Sequence, residues 1–250
     1  MTYWTVVCSQ ERSLSSQDPL HLARLRFSSC FHNPKKNGLQ QRIQHFPFEQ
    51  LCFMAALTAA ATTEATVLYI DTLNSFSPAR LAEIFHRNPL FSHRTDVEQV
   101  LSKIHCIHVY DIFQMIDTLE GFLQDVADEG GRSSLTKLVV IDSVASVVSP
   151  ILAGGGLYLG HGLMSSLGRI LKLLAVEHNT AVLITNYVVS GGPFAPGEPK
   201  PALGLSWTYT SHIQLFLSIR ASEPPSTKRL VECRKSPRVR FPPFFDVGFF

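Results

Sequence analysis

Leu138-Val139-Val140-Ile141-Asp142-Ser143 is the stretch that decides the fold of this chain. Its run of apolar, mostly β-branched residues is typical of a strand buried on both faces, as in a parallel sheet. An acidic residue at the carboxyl end of such a strand lies where open α/β sheets bind their ligands. Asp142 is therefore either a ligand for the Mg²⁺ that bridges nucleotide phosphates, as in P-loop NTPases, or a solvated residue that ends an ordinary strand.

Other segments repeat this pattern of a buried strand with a polar end. Residues 66–71 end in Asp71, residues 181–186 end in Asn186, and residues 104–109 also have strand composition. Helical patterns alternate with these strands, which predicts a doubly wound, mostly parallel sheet with helices on both faces. Asp71, Asp142 and Asn186 should then meet at one edge of the sheet. Residues 211–247 supply further strands, which we expect to be antiparallel.

Two helix starts are also predicted from local chemistry. Ser77 before Pro78 is typical of an N-cap followed by proline at the first helical position, and Asp111 can cap a long amphipathic helix.

Composition excludes several classes of protein. The 250 residues are 45% hydrophobic and 17% charged, which is too apolar for disorder. The net charge of +2 does not by itself demand a nucleic-acid partner. Five scattered cysteines indicate reduced thiols of a cytosolic or nuclear protein. No apolar run reaches the ~18 residues of a membrane span, so we expect no membrane association.

Residues 1–48 differ from the remainder. They show no sustained helical or strand period, and only residues 3–8 have strand composition. We therefore expect an irregular N-terminal segment over 1–48 and one α/β core over 49–250.

The motifs in this core resemble a known family. Tyr69-Ile70-Asp71-Thr72, residues 138–143 and Ile184-Thr185-Asn186 resemble the ATPase core of the RecA/RadA recombinases. Residues 107–115, 147–150 and 200–207 are similar to the D-type paralogue of the eukaryotic Rad-fifty-one recombinases. The resemblance covers residues 49–250 and implies a RecA-like P-loop ATPase core. It also implies a nuclear protein of homologous recombination repair that binds ATP, Mg²⁺, single-stranded DNA and other recombinase paralogues.

The resemblance assigns candidate residues to two sites. Asp142, Ser143 and Asn186 match the nucleotide site, with Asp142 as the Mg²⁺ ligand. Single-stranded DNA would contact two loops, residues 154–162 and residues 190–205. These loops carry Gly155, Gly156, Gly191, Gly192 and Lys200. With Lys200 as the cation of the second loop, affinity should be weak and salt-sensitive.

The departures from the family are equally specific. The family's Walker A loop, G-x-x-x-x-G-K-[ST], should precede the helix near Glu49, yet Gln44-His45-Phe46-Pro47-Phe48 stands there without glycine or lysine. Proline lacks an N–H, and bulky side chains prevent the close phosphate approach that glycine permits. Leu73 and Asn74 replace the family's catalytic glutamate. Residues 1–48 thus resemble a foreign or alternatively spliced start on an intact core, without the family's N-terminal domain.

Three hypotheses follow for function. The first is a repair accessory protein that binds DNA and paralogues and has lost ATP hydrolysis. The second is an ATP-dependent recombinase or motor, and the third is a nonfunctional truncated isoform. The missing Walker A loop favours the first.

Several smaller patterns have plain structural interpretations. Phe53-Met54-Ala55-Ala56 has the Phe-x-x-Ala form that the family uses for docking, but its apolar context favours a core role. His105 and His108 lack zinc spacing, which favours core or surface roles. Arg234, Lys235, Arg238 and Arg240 form either a solvated face or a phosphate contact.

The loss of Walker A also affects the sheet. In RecA-like cores the strand leading into Walker A is central, and we expect its place to lie beside the strand that ends at Asp142. That place is either left open or filled by residues 3–8.

Overall fold

The computed structural model describes residues 2–7, 47–62, 64–91, 96–127, 135–190, 199–219, 228–237 and 244–248. Within these ranges the strands are β1 Thr2–Val7, β2 Thr66–Asp71, β3 Ile104–His108, β4 Thr136–Asp142, β5 Ala181–Ser190, β6 Pro199–Pro201, β7 Ile213–Ile219, β8 Lys228–Lys235 and β9 Phe244–Gly248. The helices are α1 Pro47–Thr62, α2 Pro78–Arg87, α3 Val97–Leu101, α4 Ile112–Ala127, α5 Val144–Ala153, α6 Leu157–Val176 and α7 Gly204–Thr208.

The helix starts follow local chemistry that the sequence makes visible. The hydroxyl of Ser77 accepts a hydrogen bond from the N–H of Arg80 at 3.3 Å, and Pro78 opens α2. The carboxylate of Asp111 accepts from the N–H of Gln114 at 2.8 Å at the start of α4. Both predicted caps are confirmed, because each satisfies an N–H that the first turn leaves without a helical partner.

One sheet organises the described residues, with strand order β3-β2-β4-β5-β1-β7-β8-β9 and β6 paired to β5. The pairs β3/β2, β2/β4 and β4/β5 are parallel. All remaining pairs are antiparallel. The predicted doubly wound RecA-type sheet is confirmed in its parallel strands β3, β2, β4 and β5, and the predicted antiparallel closing strands over 211–247 are confirmed as β7, β8 and β9.

Alternate residues of the central strands build two separate cores. Val67, Leu138, Val140 and Leu183 pack with α1 and α2 on one face. Val139, Ile141 and Ile184 pack with α4, α5 and α6 on the other. Since strand side chains alternate between faces, a strand in the middle layer must be apolar at every position. This explains the run at 138–141.

The packing of α1 also shows the role of the Phe-x-x-Ala segment, residues 53–56. Phe53 and Ala56 are buried in the first of these cores. The predicted core role is therefore confirmed.

The prediction that the place of the Walker A strand lies beside β4 is wrong. β4 is paired with β2 on one side and β5 on the other, so it has no open neighbour. β5 follows β4 in the chain through α5 and α6 and takes the place we had expected to be vacant. The strand that the composition of residues 3–8 predicts is nevertheless present as β1. It lies between β5 and β7 and is antiparallel to both.

The register of β1 places Val6 opposite Leu183 on one side and opposite Ile213 on the other. β1 therefore links the parallel half of the sheet to the antiparallel half. Residues 8–46 lie outside the described residues, so the division at residue 48 stays a prediction. The described helices include none with the length and apolar composition needed to cross a membrane.

Candidate functional site

The predicted polar edge forms where three parallel strands end. β2 and β4 are in register so that Asp71 lies opposite Asp142, and Asn186 lies on the adjacent β5. Asp71 is 0% and Asp142 is 5% exposed, and Asn186 is also buried. The structure therefore places Asp71 and Asp142 side by side and Asn186 at the same edge of the sheet on the neighbouring strand, whereas their role in binding stays a prediction.

The carboxylate of Asp142 is held by its neighbours in the sheet. One oxygen accepts from the hydroxyl of Thr185 at 2.6 Å and the other accepts from the phenol of Tyr69 at 3.1 Å. Burial raises the pKa of Asp142, and the charge of Asp71 adds to the increase, while the two hydrogen bonds oppose it. Burial also raises the pKa of Tyr69, so this phenol is a permanent donor.

Ser143 continues from Asp142 into α5 as its N-terminal cap residue. The N–H of Ser143 donates to the hydroxyl of Thr72 at 2.7 Å, and this hydroxyl donates to the carbonyl of Ser143 at 2.9 Å. The Asp142–Ser143 peptide is cis. Thr72 therefore ties the ends of β2 and β4 together.

Asn186 differs from its neighbours because its side-chain oxygen is buried without a hydrogen-bond donor among the described residues. A buried unsatisfied carbonyl costs ~1–3 kcal/mol, so a donor from a bound molecule would be stabilised there.

Asp71 performs a local structural task. Its two oxygens accept from the N–H groups of Leu73 at 2.9 Å and Phe76 at 2.7 Å. These bonds fix the turn after β2. The Nδ1 of His108 lies 3.5 Å from the second oxygen. The sequence did not predict that His108 lies this close to Asp71. The thiol of Cys106 also lies within 4.8 Å of the ligand atoms of these two residues.

The predicted DNA-binding residues are only partly described. Gly155 and Gly156 form the turn between α5 and α6, and Gly155 has a φ of +82°, which favours glycine. The expected loop through residue 162 is wrong, since α6 already begins at Leu157. Gly160 is buried in this helix, where an added Cβ would meet the side chain of Leu152 in α5 at 2.5 Å.

Lys200 is exposed, but it lies in β6 opposite Val189 of β5 instead of in an open loop. Gly191 and Gly192 lie outside the described residues. After β6, Leu203 and Trp207 are buried in the same core as Met164 of α6. The β5/β6 hairpin and the α5/α6 turn therefore belong to the same side of the sheet.

Sequence reasoning missed Tyr158, which lies in the first turn of α6 and is 94% exposed. The available signal was an aromatic residue two positions after the three glycines Gly154-Gly155-Gly156. An exposed aromatic ring beside a glycine turn can stack on an unpaired base.

The two described residues of the basic run near the end of the chain make internal contacts. Arg234 pairs with Glu232 at 3.1 Å and lies over the ring of Phe216, 3.9 Å from its centroid. Lys235 donates to the carbonyls of Thr208 at 3.0 Å and Ser211 at 2.6 Å. Arg238 and Arg240 lie outside the described residues.

Known structures define the class of the fold. The crystal structure of the RadB recombinase superposes with a TM-score of 0.60 and 21% identity, covering 80% of this chain and 82% of that one. With the strand order and the polar edge described above, this likeness defines a RecA-like α/β core.

Sequence relatives then define the family. The Rad51 family model matches residues 44–240. The chain is 37% identical over 195 residues to the DNA repair protein RAD51 homolog 4 of Bos taurus, covering 76% of this chain and 57% of the relative. It is 26% identical over 227 residues to the DNA repair protein RAD51 homolog 2 of Homo sapiens, covering 78% and 57%. This chain belongs to the Rad51 family, and its resemblance to the recombinase paralogues is confirmed.

These relatives are DNA repair proteins by name, and the chain spans 57% of the length of the bovine and human relatives.

Proposed function

We propose that this chain is an accessory protein of homologous recombination repair in the nucleus. It binds single-stranded DNA and other recombinase paralogues, and it does not hydrolyse ATP. The proposed absence of ATP hydrolysis rests on Asp142, because both of its carboxylate oxygens already accept hydrogen bonds from residues of the sheet.

A Mg²⁺–nucleotide complex fits this site poorly. Mg²⁺ requires near-octahedral oxygen ligation and is usually held through carboxylates and phosphates together. A buried Asp142 whose pKa is raised and whose oxygens are engaged is a weak ligand. The segment Gln44-His45-Phe46-Pro47-Phe48-Glu49, which stands where the Walker A loop should be, contains neither glycine nor the lysine that holds phosphates. No step of the proposed function therefore passes through ATP or Mg²⁺.

DNA binding is supported by the side of the sheet that carries the α5/α6 turn and the β5/β6 hairpin. Tyr158 offers an exposed ring for base stacking, and Lys200 offers an exposed cation on the hairpin. With so few described cations, affinity depends more on stacking than on phosphate contacts.

Paralogue binding is supported by exposed apolar residues near one edge of the sheet. β3 is one of the two outer strands of the described sheet. Ile107 lies on β3, Tyr110 and Phe113 follow it in the chain, and Leu73 follows the neighbouring strand β2; all four are exposed, Tyr110 by 70%. We name these four residues the β3-edge surface. Apolar and aromatic groups of this kind are enriched at the centres of protein interfaces.

A capture experiment tests this proposal. The purified chain, immobilised, should retain at least one recombinase paralogue, and the double variant Tyr110→Ser with Phe113→Ser should reduce capture at least tenfold, because truncating an interface hot spot costs ~2 kcal/mol or more. Tyr209→Ser is the matched control, since Tyr209 is also exposed but follows α7.

Two outcomes would contradict the proposal. One is the absence of any captured paralogue, and the other is capture that depends equally on Tyr209. ATP hydrolysis by the chain alone would favour the recombinase hypothesis instead.

A further inference from the structure

Three side chains with metal-ligating atoms meet at the ends of β2 and β3. They are Asp71 of β2 and both Cys106 and His108 of β3, and their candidate ligand atoms all lie within 4.8 Å of one another. We propose that these three residues form a binding site for a divalent metal ion of the zinc class, with one position open to solvent.

The register of the two parallel strands explains why the three residues meet. Asp71 is aligned with His108, and Tyr69, two residues earlier, is aligned with Cys106. Residues two apart on a strand point to the same face. Cys106 and His108 therefore face the same side as Asp71.

The distances suit zinc better than they suit a direct hydrogen bond. Nδ1 of His108 is 3.5 Å from Oδ2 of Asp71, which is long for a hydrogen bond. Nitrogen and oxygen ligands about 2.0–2.2 Å from a tetrahedral zinc ion lie roughly 3.3–3.5 Å apart. An ion can therefore enter between these two atoms with little movement, and the thiol of Cys106 lies within 4.8 Å of both.

The donor set selects the class of metal. Thiolate, imidazole and carboxylate together match zinc sites, whereas Mg²⁺ and Ca²⁺ take oxygen ligands. Three protein ligands leave the fourth position for water or for a group from a partner.

The neighbouring residues orient the candidate ligands and leave the site open to a metal ion from solvent. Asp71 is fixed by the N–H groups of Leu73 and Phe76, yet a carboxylate can accept about four bonds in all. His108 has a side chain that is 42% exposed and forms the entrance. Asp142, opposite Asp71 in the sheet, adds a second acidic group behind the site.

Titration with cobalt(II), a spectroscopic substitute for zinc, tests the site in the complete chain. We expect one equivalent to bind with a thiolate-to-cobalt absorption band, and zinc to displace it. Cys106→Ser should abolish the band. His108→Gln should weaken binding at least about tenfold, since even outer-shell partners of metal ligands contribute 10–100-fold.

Two variants serve as matched controls. Cys233→Ser changes another partly buried thiol, and His105→Gln changes an exposed histidine on the opposite face of β3. Neither should alter the band or the affinity. Because His108 is exposed, His108→Gln is expected to fold, and circular dichroism checks this for each variant.

The proposal is overturned if the chain shows no thiolate band with cobalt(II). It is also overturned if the band survives Cys106→Ser, or if folded His108→Gln binds cobalt(II) as tightly as the original chain.

Discussion

Asp142 is the central residue of the candidate site. Its carboxylate is buried and hydrogen-bonded by Tyr69 and Thr185, and burial raises its pKa. The folded chain therefore retains this proton over a pH range in which the unfolded chain has lost it. Stability from this group is highest below the ordinary aspartate pKa of ~3.9 and falls as pH rises through the raised value.

Asp142→Asn should consequently make the fold more stable at about pH 7 and no more stable near about pH 3, because asparagine cannot ionise. The asparagine oxygen still accepts from Thr185, and the hydroxyl of Tyr69 can turn to accept from the new amide. Urea unfolding at both pH values measures the difference. Asp125→Asn, on the exposed side of α4, is the control and should follow the original chain. A loss of stability at neutral pH would show that the carboxylate is needed in its charged form.

Tyr158 is the residue that tests the proposed DNA-binding surface at the α5/α6 turn. Tyr158→Ala should weaken single-stranded DNA binding by ~1–3 kcal/mol, the usual value of one base–aromatic stack. Fluorescence anisotropy with a labelled oligonucleotide measures this loss. Tyr110→Ala removes a comparably exposed ring from the β3-edge surface and should leave DNA affinity unchanged. Equal losses in both variants would exclude a specific role for the α5/α6 turn.

At the scale of elements, β1 is the strand that completes the sheet. It is paired on both sides, with β5 and β7, so its N–H groups have partners in one direction or the other. A strand paired on both sides is opened only by large-scale unfolding.

Amide hydrogen exchange at Val6 and Val7 should therefore be slow and comparable with exchange at Val139 and Val140 of β4. Both pairs of residues lie inside the same sheet. Strand β3, at one edge of the described sheet, is the comparison, because the N–H groups on its unpaired side should exchange faster. Exchange at Val6 and Val7 as fast as in an unstructured peptide would mean that β1 is not part of the sheet in solution.

Elements with local signals could be predicted from the sequence. Asp111 marks the start of α4, and Ile112, Met115 and Leu119 reveal its buried side by spacing alone. The start of α6 could not be placed in this way. Gly160 and Gly162 suggested a loop, whereas α6 includes both glycines, and Gly160 is buried against the side chain of Leu152 in α5. Tertiary packing here outweighs the low helix propensity of glycine.

At the scale of the whole molecule, the fold was predictable and part of the site was not. The runs ending at Asp71, Asp142 and Asn186 give the parallel sheet and its polar edge, since carboxyl ends of parallel strands lie together. The position of β1 depends on pairing with strands more than 170 residues away, for which a single sequence carries no signal. The meeting of Asp71 with Cys106 and His108 likewise depends on strand register.

We propose that this Rad51 family chain acts through binding, without using ATP. Single-stranded DNA affinity, measured by anisotropy at low salt with and without Mg²⁺–ATP, tests this directly. We expect the same Kd in both conditions, for the original chain and for Asp142→Asn alike. A Kd that falls several-fold with Mg²⁺–ATP in the original chain, but not in Asp142→Asn, would contradict it.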